Sequence, residues 1–178
     1  MIIKGPDGFA ADVDSSNRLM VASVSQDIAQ SLNLEGKVFT GYFTVTPLAD
    51  NDYFLYIENT GSQDIALGSI EISSTVPTEI LYEIVTGTPV FVTGTGVPMV
   101  NHNLGSSAPL LADIQFDTNI TGLVSAGIFD FEECSIADTK FTLDLSSGII
   151  IPQGKAVAFK RVEATGLLTC TISVGEFS

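Results

Sequence analysis

Polar and apolar residues alternate with a period of two over long parts of the chain. Phe39, Gly41, Phe43 and Val45 alternate with Val38, Thr40, Tyr42, Thr44 and Thr46. Phe141, Leu143 and Leu145 alternate with Thr142 and Asp144, and Leu168, Cys170, Ile172 and Val174 with Thr169, Thr171 and Ser173. A period of two places successive side chains on opposite faces of a strand, so these segments predict half-buried strands with one wet face, the habit of antiparallel sheets.

Between them lie β-rich runs that alternate less cleanly: "YFLYIEN" from Tyr53, "DIALGSIEIS" from Asp64, "EILYEIV" from Glu79, "PVFVT" from Pro89, "PLLADIQF" from Pro109 and "AVAFKRV" from Ala156. Turn formers fence them, as in "PLADND", "NTGSQD", "VTGTP", "TGTGVP", "LSSG" and "PQGK". About ten short strands at spacings near 8 to 12 residues predict an all-β fold, an antiparallel jelly-roll β-sandwich with an extended N-terminal arm. The one stretch that suits a helix is "SQDIAQSLN", where Ser25 would cap and Asp27 would sit in the first turn. At 178 residues the chain fits one domain. The expected division is residues 1–24 as arm and first strand and residues 25–178 as a single sandwich.

Charge narrows the partners. Seven Lys and Arg against 21 Asp and Glu give a formal net charge of −14, which repels phosphate backbones and acidic lipid surfaces, so neither nucleic acid nor membrane is an expected partner. From Val38 to Thr139 there is no Lys or Arg at all. Only 16% of residues are charged and the mean hydropathy is +0.37, apolar for a soluble monomer. With no run approaching the roughly 18 apolar residues of a membrane helix, the surplus apolar surface is expected to meet other protein.

Candidate chemistry is thin. The single histidine, His102 in "PMVNHNLGSS", has no G-x-S-x-G elbow to serve and reads as a solvated or turn-stabilising residue. In "DFEEC", alternation puts Asp130 and Glu132 on one face and Glu133 on the other, a solvated acidic edge. Glycosidase chemistry would need a carboxylate pair in a cleft of sugar-stacking aromatics, and the chain has no Trp and four Tyr. Asp12, Asp14 and Ser16 imitate the start of a calcium loop, but Asn17 and Ser23 stand where its Gly and bidentate Glu belong. "GTPVFVTGTGV" lacks the Lys-Ser/Thr of a phosphate loop. Whether Cys134 and Cys170 meet is not fixed by sequence; in its alternating strand Cys170 reads as a free buried thiol. No enzyme, cofactor or metal is expected.

The opening "MIIKGPDGFAADVDSSNRLMVASVSQ" stacks turn formers where a compact domain would start its first core strand. Asp7, Asp12 and Asp14 interrupt any apolar run, so no export signal is expected. The segment is either a disordered terminus or an arm in which "RLMVASV" adds a strand to a neighbouring subunit. On the second reading the interface residues are Lys4, Pro6, Phe9, Val13, Arg18 and Leu19.

The order of "DVDSSNRLMV", "LYIENTGSQDIALGSIEIS", "VNHNLGSS" and "LSSGIIIPQGKAVAFKRV" before a closing alternating strand resembles small virion structural proteins of tailed bacteriophages, marine and cyanobacterial ones especially. That resemblance implies a jelly-roll decoration, cement or fibre protein, made in the host cytoplasm and carried on the outer capsid surface. It implies a homo-oligomer, a trimer in the decoration case, with the major capsid protein as partner. The alternative within the resemblance is a receptor- or glycan-binding module using loops such as "TGTGVPMVNHNLGSS".

Overall fold

The computed structural model describes residues 3–4, 10–13, 19–20, 35–134, 136–138, 140–163 and 165–176; for 3–4, 10–13, 19–20, 134, 141 and 143–148 it describes the backbone only. Among these residues there are thirteen strands and no helix: β1 (Ile3–Lys4), β2 (Ala10–Val13), β3 (Leu19–Met20), β4 (Val38–Val45), β5 (Tyr53–Asn59), β6 (Ile65–Ser74), β7 (Thr78–Phe91), β8 (Thr95–Gly96), β9 (Met99–Asn101), β10 (Ala112–Cys134), β11 (Lys140–Ile151), β12 (Ala156–Arg161) and β13 (Leu168–Glu176). The helix expected over 25–33 lies outside the described residues.

Two five-stranded sheets, entirely antiparallel, pack face to face as a β-sandwich. Their strand orders are β11-β6-β13-β4-β9 and β5-β12-β7-β10-β8. β4 and β13 lie side by side, Phe43 opposite Cys170 and Gly41 opposite Ile172, and their inward residues are buried as the alternation requires. The main core between the sheets gathers Phe43, Leu55, Ile57, Leu67, Ile70, Ile72, Ile80, Tyr82, Phe159 and Ile172, among others. Phe43 stacks on Phe116 and Tyr82 meets Phe159 edge-on, ring centroids 4.7 and 4.9 Å apart.

β10 departs from the short-strand expectation. Its first part pairs with β5, from Ala112 opposite Asn59 to Phe116 opposite Leu55. Its remainder pairs with β7, from Ile120 opposite Phe91 to Cys134 opposite Thr78. Since β5 also pairs with β12, and β12 with β7, the pairings β10–β5–β12–β7–β10 close a ring. A second, smaller core fills it: Tyr56, Val85, Ile120, Ala156 and Ala158, with Tyr53, Phe91 and Leu123 packed on them. β5 and β12 are therefore buried on both faces, which is why their sequences read as near-continuous apolar runs.

The long strands bend where chemistry permits it. "VTGTP" is not a turn but a kink inside β7: Gly87 (φ +97°) faces Gly122 (φ +78°), and a Cβ on either would lie 2.4 Å from a backbone oxygen of the other strand. Only glycine tolerates both that approach and that φ. Between Phe116 and Ile120 the register of β10 shifts, and there the buried Asp117 accepts backbone N–H bonds from Thr93 (2.8 Å), Gly94 (2.9 Å) and Thr118 (2.6 Å). Burial pushes this carboxyl up, but those N–H groups outweigh burial and hold it below the ordinary aspartate range.

Candidate assembly surface

The proposed arm residues are only partly placed. Lys4 on β1 stands opposite Ala10 on β2, and Val13 on β2 stands opposite Leu19 on β3. Rather than running extended, the three short strands pair with one another in the order β1-β2-β3, and among the described residues none is paired to a sandwich strand. Pro6, Phe9 and Arg18 lie outside the described residues, as do Asp14 and Ser16 of the calcium-loop resemblance.

A second surface, one that sequence reading did not single out, lies along the C-terminal half of β10. From Leu123 to Cys134 this strand pairs with β7 alone, so its other edge is open among the described residues. Ile128 and Phe131 are 58% and 59% exposed, and Val124 and Ile84 are exposed nearby. Exposed apolar side chains beside unpaired backbone donors and acceptors form the surface a further strand would cover. The sequence signal for it lies in "GIFDFEEC", where Ile128 and Phe131 stand among carboxylates.

Those carboxylates are not simply a solvated edge. Asp130 and Glu132 stand opposite Tyr82 and Ile80, both fully buried on the core face, so the two acids share that inward face and are half-buried. Glu133 lies on the outer face opposite Glu79. Burial, with Glu132, Asp130 and Cys170 nearby, pushes the Tyr82 phenol up, so it stays neutral. Its hydroxyl has no hydrogen-bond partner among the described residues. Tyr82→Phe should therefore leave stability unchanged or raise it by up to about 1 kcal/mol in urea unfolding, and a loss above about 1 kcal/mol would reveal a partner.

Buried polar groups hold this region in place. Glu83, 1% exposed on β7, accepts a hydrogen bond from the Tyr53 hydroxyl and pairs with Lys160 at 2.7 Å. Ser125 of β10 joins them, so the cluster ties β5, β7, β12 and β10 together. Burial pushes the Glu83 carboxyl up, but the Lys160, Tyr53 and Ser125 hydrogen bonds prevail and keep it below 4.5. At one end of the sandwich the buried Arg161 donates to Thr78 Oγ1 (3.0 Å), the carbonyls of Glu163 (3.1 Å) and Gly166 (2.6 Å), and Ser74 Oγ (3.3 Å). Cys170 is a free buried thiol that burial pushes up, which makes it inert.

The outer face of the other sheet is rich in hydroxyls. Tyr42, 57% exposed, stands opposite Thr171, flanked by the pairs Thr40–Ser173 and Thr44–Thr169. His102, read as solvated or turn-stabilising, is exposed and reaches the neighbouring strand β4: its Nε2 lies 2.5 Å from the Thr40 hydroxyl, which lies 2.9 Å from Ser173 Oγ. Its backbone N–H donates to Val38. No group of three or more His, Cys, Asp or Glu residues placed to hold a metal ion occurs among the described residues. Compared with known protein families, curated proteins and solved structures, the chain matches none.

Proposed function

We propose that this chain is a non-enzymatic structural protein of a virion exterior, a jelly-roll sandwich that self-associates, as a trimer, and cements the outside of a capsid by bridging neighbouring subunits. The observation that carries this reading is the open, apolar edge of β10: a protein with such an edge buries it by assembling. The strand order supports the jelly-roll. Without the short β8 and β9, the sheets read β11-β6-β13-β4 and β5-β12-β7-β10, the order produced when two Greek keys wrap around one sandwich. The charge of −14 suits a surface turned away from packaged genome phosphates. In mechanism, each small contact adds through multivalency to a lattice that resists internal pressure.

Light scattering of the purified chain and co-sedimentation with expanded capsids lacking it test the proposal. A trimer that saturates particles at fixed stoichiometry is the expected result. A monomer indifferent to capsids would overturn it.

A second reading, a glycan-binding module of a head or tail fibre, draws on Tyr42. An exposed ring framed by Thr and Ser hydroxyls, on a strand flanked by β9, offers a stacking face with polar groups around it. Specific glycan-array binding that Tyr42→Ala abolishes would promote this reading over the first.

A further inference from the structure

We infer that the outer edge of β10, at Asp130–Cys134, is the acceptor site for β3 of a second copy of this chain, which adds there as an extra strand. The inference rests on the self-association proposed above and supplies its contact.

The edge has the right length and shape. The register of β10 is interrupted up to Asp130 and runs without a break from there to Cys134 opposite Tyr82–Thr78. Bulges thus confine regular pairing to a short stretch, which excludes long, indiscriminate strand addition and fits a short guest. On its outer face this stretch presents Phe131, 59% exposed and standing opposite Leu81, and Glu133 opposite Glu79. An apolar guest strand covers Phe131; a cation beside it offsets the facing acids.

The arm carries such a guest. Leu19–Met20 sit within "RLMVASV", and from residue 15 to residue 26 the sole charge is Arg18. One positive charge on an otherwise neutral apolar segment complements an edge that holds Asp130, Glu132 and Glu133 and lies in a span, Val38 to Thr139, without a single cation. Four of the five cations of the sandwich are committed elsewhere: Lys37 to Glu35, Lys140 to Glu71 and Lys160 to Glu83, each within 3.0 Å, and Arg161 to four neighbours of its own; the fifth, Lys155, is exposed in the turn before β12.

Among the described residues of one chain, β3 pairs with β2 alone and the C-terminal half of β10 leaves its outer edge bare. Exchange of β3 between copies gives both edges a partner at once, the arrangement of β-augmentation.

The test places a photoreactive benzoylphenylalanine at position 131 of the full chain, irradiates it, and maps the products after trypsin, which cuts at Lys4, Arg18 and Lys37. The expected product is a crosslinked dimer joining position 131 to the 19–37 peptide. Phe131→Glu should weaken self-association about tenfold or more with an unchanged melting curve. An oligomer in light scattering whose crosslinks lie elsewhere, within one chain or nowhere overturns this contact and leaves the self-association standing. A chain monomeric at every concentration overturns both.

Discussion

Arg161→Met should lower the free energy of unfolding by roughly 3–5 kcal/mol, the summed cost of leaving its four acceptors without a donor at about 1 kcal/mol each. Methionine keeps the apolar stem and removes only the guanidinium. The buried Thr78 and Ser74 hydroxyls and the half-buried carbonyls of Glu163 and Gly166 then lose their donor. Because these acceptors lie at the end of β6, the start of β7 and in the connection from β12 to β13, the loss loosens one end of the sandwich. Burial pulls this arginine below its ordinary range and Asp50 opposes that pull; hydrogen bonds to neutral oxygens, with no bonded carboxylate among the described residues, hold it in place. Thermal unfolding should show a drop on the order of 10 °C. Arg161→Lys should rescue only part, since one ammonium cannot reach acceptors spread over a planar fork. A loss below about 1 kcal/mol for Arg161→Met would mean that the network contributes nothing net.

Glu83→Ala is expected to cost roughly 2–4 kcal/mol, because Lys160 and the Tyr53 hydroxyl are left facing each other without their shared acceptor. A double-mutant cycle separates the pair from its surroundings: Glu83→Leu with Lys160→Met should recover most of the loss, and failure to recover would assign the cost to packing instead. The pH dependence carries a definite sign. Glu83 is held below 4.5 in the folded chain, so its contribution is fully present above that value and is lost as pH falls through the lower, folded value. Unfolding curves from pH 6 downward should therefore lose stability in the wild type below about pH 4.5. In Glu83→Ala that slope should shrink to what Asp117, depressed in the same direction, still contributes. Parallel slopes in the two proteins would show that Glu83 does not titrate differently on folding.

How far each element was legible follows from where its neighbours come from. β4 and β13 lie with one face on the core and one on solvent, so Phe39 to Val45 and Leu168 to Val174 displayed their strand in the period of their own residues. β5 and β12 are covered on both sides and lost that period, so "YFLYIEN" and "AVAFKRV" announced a strand but not its facing. The pieces "PLLADIQF" and "IFDFEEC" gave no sign of forming one strand, because their continuity is imposed by two different partners, β5 and then β7.

Read alone, the amino-acid order established the all-β class, most strand positions and an anionic chain with its cations near the ends. Each of these depends on a residue and its immediate neighbours, through side-chain alternation, turn chemistry or charge. It took the folded chain to show that β10 closes a ring around a second core, that Asp130 and Glu132 turn inward beside Tyr82, that Glu83 meets Lys160, and that Ile128 and Phe131 stand on an open edge. Those are pairings between residues far apart in the chain. Local preference cannot encode them, because a strand exposes the same unpaired backbone to every possible neighbour, and only the packing of the whole chain selects one.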